Sequence, residues 1–166
     1  DAVFRKYYEA TGFLDRMLEP LSLAPAVPGD FAGPATLTGV AIDGLATEDV
    51  GVAGTGQALR LRLRYAIAQP IDGATLVLQF WSSSGVLIGA YDSALCGETL
   101  LLARDGVALL YLHFLGLTAG VYRVTGGFRA GERWLGYQSG LLTLRVAQPG
   151  LSEAHGLMAI DGQLTF

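Results

Sequence analysis

The chain has 166 residues, 51% hydrophobic and 16% charged, with a formal net charge of −4. So much apolar content at so little charge excludes an intrinsically disordered segment, and the length favours one domain with at most an appendage. Lys6 is the single lysine and no basic run exists, which excludes a general binder of nucleic-acid phosphates.

One cysteine, Cys96, cannot form an internal disulfide, and this argues against a disulfide-framed secreted domain. Asparagine is absent, so there is no glycosylation sequon. Asp1, Arg5, Lys6 and Glu9 leave no signal-like apolar segment at the start. The chain is therefore expected to be a piece of a longer protein. Two uncharged stretches, 73–91 and 106–122, approach the span of about 20 residues that a transmembrane helix needs. Gln79, Ser82, Ser83, Ser84, Gly85 and Gly89 break the first, and His113, Gly116 and Gly120 break the second. Both read as soluble β-structure, and no membrane span is expected.

In chain order, residues 1–19 come first. Phe4, Tyr7, Tyr8, Phe13, Leu14, Met17 and Leu18 recur at spacings of three and four, the helical period. Pro20 stops that helix, which would pack on the next domain or lead in from a preceding one. Residues 20–35 hold Pro20, Pro25, Pro28, Gly29, Gly33 and Pro34, a linker composition. Beyond it, over 36–166, the period changes to two. Leu59-Arg60-Leu61-Arg62-Leu63-Arg64-Tyr65 alternates without a fault, as a strand with one apolar and one wet face does. Similar runs cover 36–42, 75–81, 86–91, 99–103, 107–114, 121–128, 133–138 and 141–146. Asp43-Gly44, Asp72-Gly73, Asp105-Gly106 and Asp161-Gly162 supply turn signals between runs. Short strands spaced near ten residues predict an all-β fold, sandwich or barrel, with a short N-terminal helix.

Catalytic signatures are missing. Lys6 is followed by Tyr7, so there is no phosphate-binding Gly-Lys-Ser/Thr. In Gly136-Tyr137-Gln138-Ser139-Gly140 the serine stands one place too late for a nucleophile elbow, and the segment reads as a turn between strands. His113, His155 and Cys96 are too few for a nitrogen–sulfur zinc site, and Cys96 has no electropositive neighbourhood. Glu48-Asp49 and Asp92 do not stand out as a glycosidase pair. The expectation is a non-enzyme without cofactor or metal.

The face opposite the core is more informative. With Leu76, Leu78 and Phe80 inward, Val77, Gln79 and Trp81 point outward; with Tyr122, Val124 and Phe128 inward, Arg123, Thr125, Gly127 and Arg129 do so. Trp134 and Tyr137 on the following hairpin, and Tyr91 on the 86–91 run, complete the candidate set. Aromatic rings suit the apolar C–H faces of a pyranose, while Gln, Arg and Thr serve its hydroxyls. Trp, Tyr and Arg are equally the residues of a subunit interface. Both readings stay open: a carbohydrate site at Gln79, Trp81, Tyr91, Arg123, Thr125, Arg129, Trp134 and Tyr137, or a homodimerisation surface.

Residues 36–146 resemble the C-terminal domain of the Wzt family, the ATP-binding subunits of bacterial O-antigen ABC transporters. The resemblance rests on Leu37-Thr38-Gly39-Val40, on 59–65 followed by Gln69-Pro70-Ile71, and on Leu78-Gln79-Phe80 with Gly85 a turn later. Its most specific stretch is Leu117-Thr118-Ala119-Gly120-Val121-Tyr122-Arg123-Val124. The resemblance implies an immunoglobulin-like antiparallel β-sandwich that binds the exported polysaccharide at the cytoplasmic face of the inner membrane. It also implies a homodimer formed by exchange of a C-terminal strand, here 156–166 after Pro149-Gly150. The parent domain preceding the fragment would be a nucleotide-binding domain, or a glycosyltransferase or methyltransferase.

Overall fold

A computed structural model describes residues 29–45, 50–147 and 162–165, the last four through their backbone. The expected helix over 1–19 and the linker up to residue 28 lie outside the described residues, as do 156–161 and 166 of the expected exchanged strand. Ten strands follow: β1 (Ala35–Ile42), β2 (Val50–Gly54), β3 (Leu59–Ile67), β4 (Ile71–Ser82), β5 (Leu87–Asp92), β6 (Leu100–Leu102), β7 (Gly106–Leu112), β8 (Gly120–Ala130), β9 (Arg133–Ala147) and β10 (Gly162–Thr165). Among the described residues there is no helix, so the fold is all-β. The uncharged stretches 73–91 and 106–122 are strands and their connections, and among the described residues no helix is long and apolar enough to cross a membrane.

The strands form two sheets. One has the order β1-β3-β7-β10; the other runs β2-β9-β8-β4-β5, with β6 added along β4. Leu59, Leu61 and Leu63 of β3 are buried, as the alternation with arginine predicts, and so are Leu76, Leu78 and Phe80 of β4. Residues from both sheets belong to one core cluster, joined across it by Tyr65 and Phe128, whose rings meet edge-on at 5.8 Å. Truncating Leu78 to alanine would cost about 3 kcal/mol by lost transfer energy and the cavity left behind.

Four features depart from the sequence expectation. β2 was not foreseen, and it pairs with β9 in parallel, so that sheet is mixed rather than antiparallel. The runs 133–138 and 141–146 are one strand, β9. Its register on β8 jumps from Gly126↔Gln138 to Val124↔Leu142, so 139–141 form a bulge rather than a turn or an elbow. Asp72-Gly73 is not a turn either. It sits inside β4, where the pairing with β6 shifts register and Gly73 takes φ +72°, a conformation that glycine adopts without steric cost. Finally, the end of the expected linker is bonded to the sheet: Phe31 and Tyr137 exchange backbone hydrogen bonds of 3.0 Å each.

Candidate functional site

The outer face of the six-stranded sheet gathers most of the predicted residues. Antiparallel register sets Gln79 opposite Thr125 and Trp81 opposite Arg123, while Gly127 lies between Val77 and Tyr137. Residues paired in this way share a face. Next to Trp81, the pairing of β4 with β5 shifts register, and the 82–86 hairpin turns on Gly85 at φ +81°. The result is a shallow depression of about 240 Å³ lined by Trp81, Gly85, Arg123, Thr125, Tyr137 and Ser139.

Beneath it runs a connected set of hydrogen bonds. The Trp81 indole N–H donates to Thr125 Oγ1 at 2.9 Å. The Tyr137 hydroxyl lies 2.8 Å from Thr125 Oγ1 and 2.9 Å from Gln79 Oε1, and the Thr125 hydroxyl is 3.4 Å from the same Gln79 oxygen. Three side chains from three strands thus fix the indole in one orientation through its only donor. The Gln79 amide nitrogen has no partner among the described residues.

The sequence reading placed these groups in solvent, and the structure corrects it. Gln79 is 9% exposed, Thr125 4% and Tyr137 0%. The rings themselves provide part of the cover: Trp134 meets Tyr137 edge-on at 4.9 Å, and the Arg129 guanidinium lies 5.5 Å from the Trp134 ring centre. Arg129 Nε is buried with no hydrogen-bond partner, whereas Arg123 stands exposed at the rim. Burial pushes the Tyr137 phenol above its ordinary value. Asp30 adds to that rise, while the Thr125 hydrogen bond and Arg123 oppose it.

Of the eight predicted residues, Trp81, Arg123, Thr125 and Tyr137 line the depression, Gln79 lies under it, and Trp134 and Arg129 stack beside Tyr137. Tyr91 does not join them. Its partner on β4 is Leu78, so it faces the core, fully buried, with its hydroxyl 3.4 Å from Glu98 Oε2. Burial, with Glu98 beside it, raises the Tyr91 phenol well above the usual range. The sequence reading missed Gly85 and Ser139 in the lining. Asp30 was also missed; its Oδ1 accepts the Ser139 N–H at 2.7 Å and holds the β9 bulge in place. Ser-Gly at 84–85 and at 139–140 was the available signal, and it was read only as punctuation.

Among the described residues, no group of three or more His, Cys, Asp or Glu side chains is arranged to hold a metal ion. What the depression offers is one oriented indole, a second aromatic pair alongside, and polar groups at the edge. The fold is similar to the crystal structure of the C-terminal domain of Wzt, with a TM-score of 0.57 and 15% identity over 74% of this chain and 81% of that one. No protein-family profile and no curated protein sequence matches the chain.

Proposed function

We propose that this chain is a non-catalytic carbohydrate-binding module that recognises a bacterial surface polysaccharide, an O-antigen-like glycan, for export across the inner membrane. The observation that carries the reading is the Trp81 indole, held by its N–H on Thr125 above a buried Gln79–Thr125–Tyr137 set and open to a depression beside Arg123. A sugar ring can stack its C–H face on an aromatic fixed in this way, while its hydroxyls meet groups at the rim. An orientation set before binding lowers the entropy cost of binding.

The likeness to the C-terminal domain of Wzt, noted from the sequence and matched by the fold, supports the transporter context. On this reading the parent carries a nucleotide-binding domain and the module works at the cytoplasmic face of the inner membrane. We extend the proposal to an immunoglobulin-like sandwich. Tyr122, near the start of β8, donates its hydroxyl to the Thr118 carbonyl at 2.8 Å, the kind of corner that immunoglobulin domains use. The direct test is capture of the full chain on immobilised O-chain polysaccharide of the source strain, against an unrelated polysaccharide.

A second reading is a structural homodimerisation domain. β10 favours it: four residues at the edge of a sheet, paired to β7 from Gly162↔Leu112 to Thr165↔Leu109. An edge strand of this kind can be supplied by a second copy, which is the exchange that the family resemblance implies. Sedimentation equilibrium with and without residues 156–166 separates the two states.

A further inference from the structure

We propose that the notch where β1 parts from β9 is a second carbohydrate subsite, taking a neutral, polyhydroxylated ring of the same glycan chain. This rests on the carbohydrate reading above. The notch arises from the chain path. Phe31 is bonded to Tyr137 of β9, yet four residues later β1 begins, and it pairs with β3 in the other sheet. The strand that changes sheets leaves an opening of about 680 Å³, larger than the depression over Trp81.

Beside apolar Leu37, Val40 and Leu141, its lining carries polar groups of both signs: Asp30, Thr38, Arg64 and Gln138 stand around Gly39 and Gly140. Thr38 is the residue skipped in the β1–β3 register, and it is exposed. Gly39 seats the arginine: a Cβ there would come within 3.2 Å of Arg64 Nη2 and 3.3 Å of Nε. With glycine in place, the guanidinium lies against β1 beside the notch. Asp30 is fixed by the Ser139 N–H at 2.7 Å, and the Gln138 side chain makes no hydrogen bond to the described residues.

This mixture selects by charge. An anion would meet Asp30, and a cation would meet Arg64. A hydroxyl both donates and accepts, so a sugar ring can serve the carboxylate, the guanidinium and the amide together. The two openings share a wall. Ser139 lines the depression over Trp81, while Gln138 and Gly140 on either side of it line the notch. A glycan passing over the β9 bulge would occupy both.

The test is isothermal titration of the full chain with the O-chain polysaccharide of the source strain, and with one-repeat oligosaccharides cut from it. Arg64→Ala and Gln138→Ala should each weaken the long chain about tenfold, as loss of a hydrogen bond to a fixed polar group does, and leave the one-repeat fragment unchanged. Trp81→Ala should weaken both. Amide shifts of Gly39 and Gly140 on adding the long chain to the unaltered protein give a readout that needs no variant. Unchanged shifts there, with both notch variants binding like the parent and Trp81→Ala impaired, would overturn the second subsite alone. No binding of either glycan to the unaltered protein would overturn the carbohydrate reading, and the notch with it.

Discussion

The Tyr137 hydroxyl lies 2.9 Å from the side-chain oxygen of Gln79, across an intervening strand. Tyr137 is on β9 and Gln79 on β4, and β8 separates them. Between the two, β8 presents Thr125 and Gly127, and a Cβ at the glycine would overlap the Gly136 carbonyl oxygen of β9. The contact ties the three central strands together on the face away from the core.

Tyr137→Phe keeps the ring against Trp134 and removes the hydroxyl, leaving buried Gln79 and Thr125 each short of a partner. The expected loss is about 1–2 kcal/mol of stability, read as a lower urea midpoint at unchanged m-value. A midpoint equal to that of the parent would mean that the buried set contributes nothing to holding the sheet.

Trp81→Phe tests the orientation of the indole. It keeps an aromatic face and deletes the N–H that Thr125 accepts, so stability should fall by about 1 kcal/mol. Glycan affinity should fall further than stability alone explains, because the remaining ring is no longer held. Titration calorimetry on the folded variant checks this, and parent-like affinity would show that the N–H has no part in binding.

The period-two alternation already carried most of the fold. Leu59, Leu61 and Leu63 had to face one way because every residue between them is arginine, and the outward placement of Trp81, Arg123 and Thr125 followed from similar counting. Tyr91 escaped that logic. Leu87–Asp92 has apolar or small residues on both faces, so its phase was set by pairing with Leu78, a long-range fact. β2, with the sequence Val-Gly-Val-Ala-Gly, has weak strand propensity and forms through its parallel pairing with β9. Burial of Gln79 was invisible for the same reason: the residues that cover it come from β9, 58 positions away.

The crossing of β1 over β9 depends on glycine. A Cβ at Gly136 would overlap the Ala35 carbonyl oxygen and crowd Thr36 Oγ1 at 2.6 Å, whereas one at Gly140 would meet nothing within 4 Å. Gly136→Ala should therefore cost about 2–3 kcal/mol through backbone displacement. Gly140→Ala should stay within about 0.5 kcal/mol of the parent. Thermal melts of the pair decide it, and equal melting temperatures would contradict the close approach.

Both buried phenols predict alkaline sensitivity. In the folded chain Tyr91 and Tyr137 hold their protons above the ordinary tyrosine value of 10.0, chiefly through burial. Above pH 10 the unfolded chain releases these protons and the folded chain does not. Stability is therefore level below that pH and falls as pH rises past it. Tyrosinate absorbance of the folded chain should show a fraction that titrates above pH 10, and a smaller such fraction in Tyr137→Phe. Simple titration of every tyrosine near pH 10 would contradict the burial.

Tryptophan fluorescence of the full chain, titrated with the O-chain polysaccharide of its source strain, tests whether Trp81 is a glycan platform. Saturable quenching is expected, with binding weakened by about 1–3 kcal/mol in Trp81→Ala, whose fold is verified by circular dichroism. Saturable binding at equal affinity in the folded Trp81→Ala variant would contradict it.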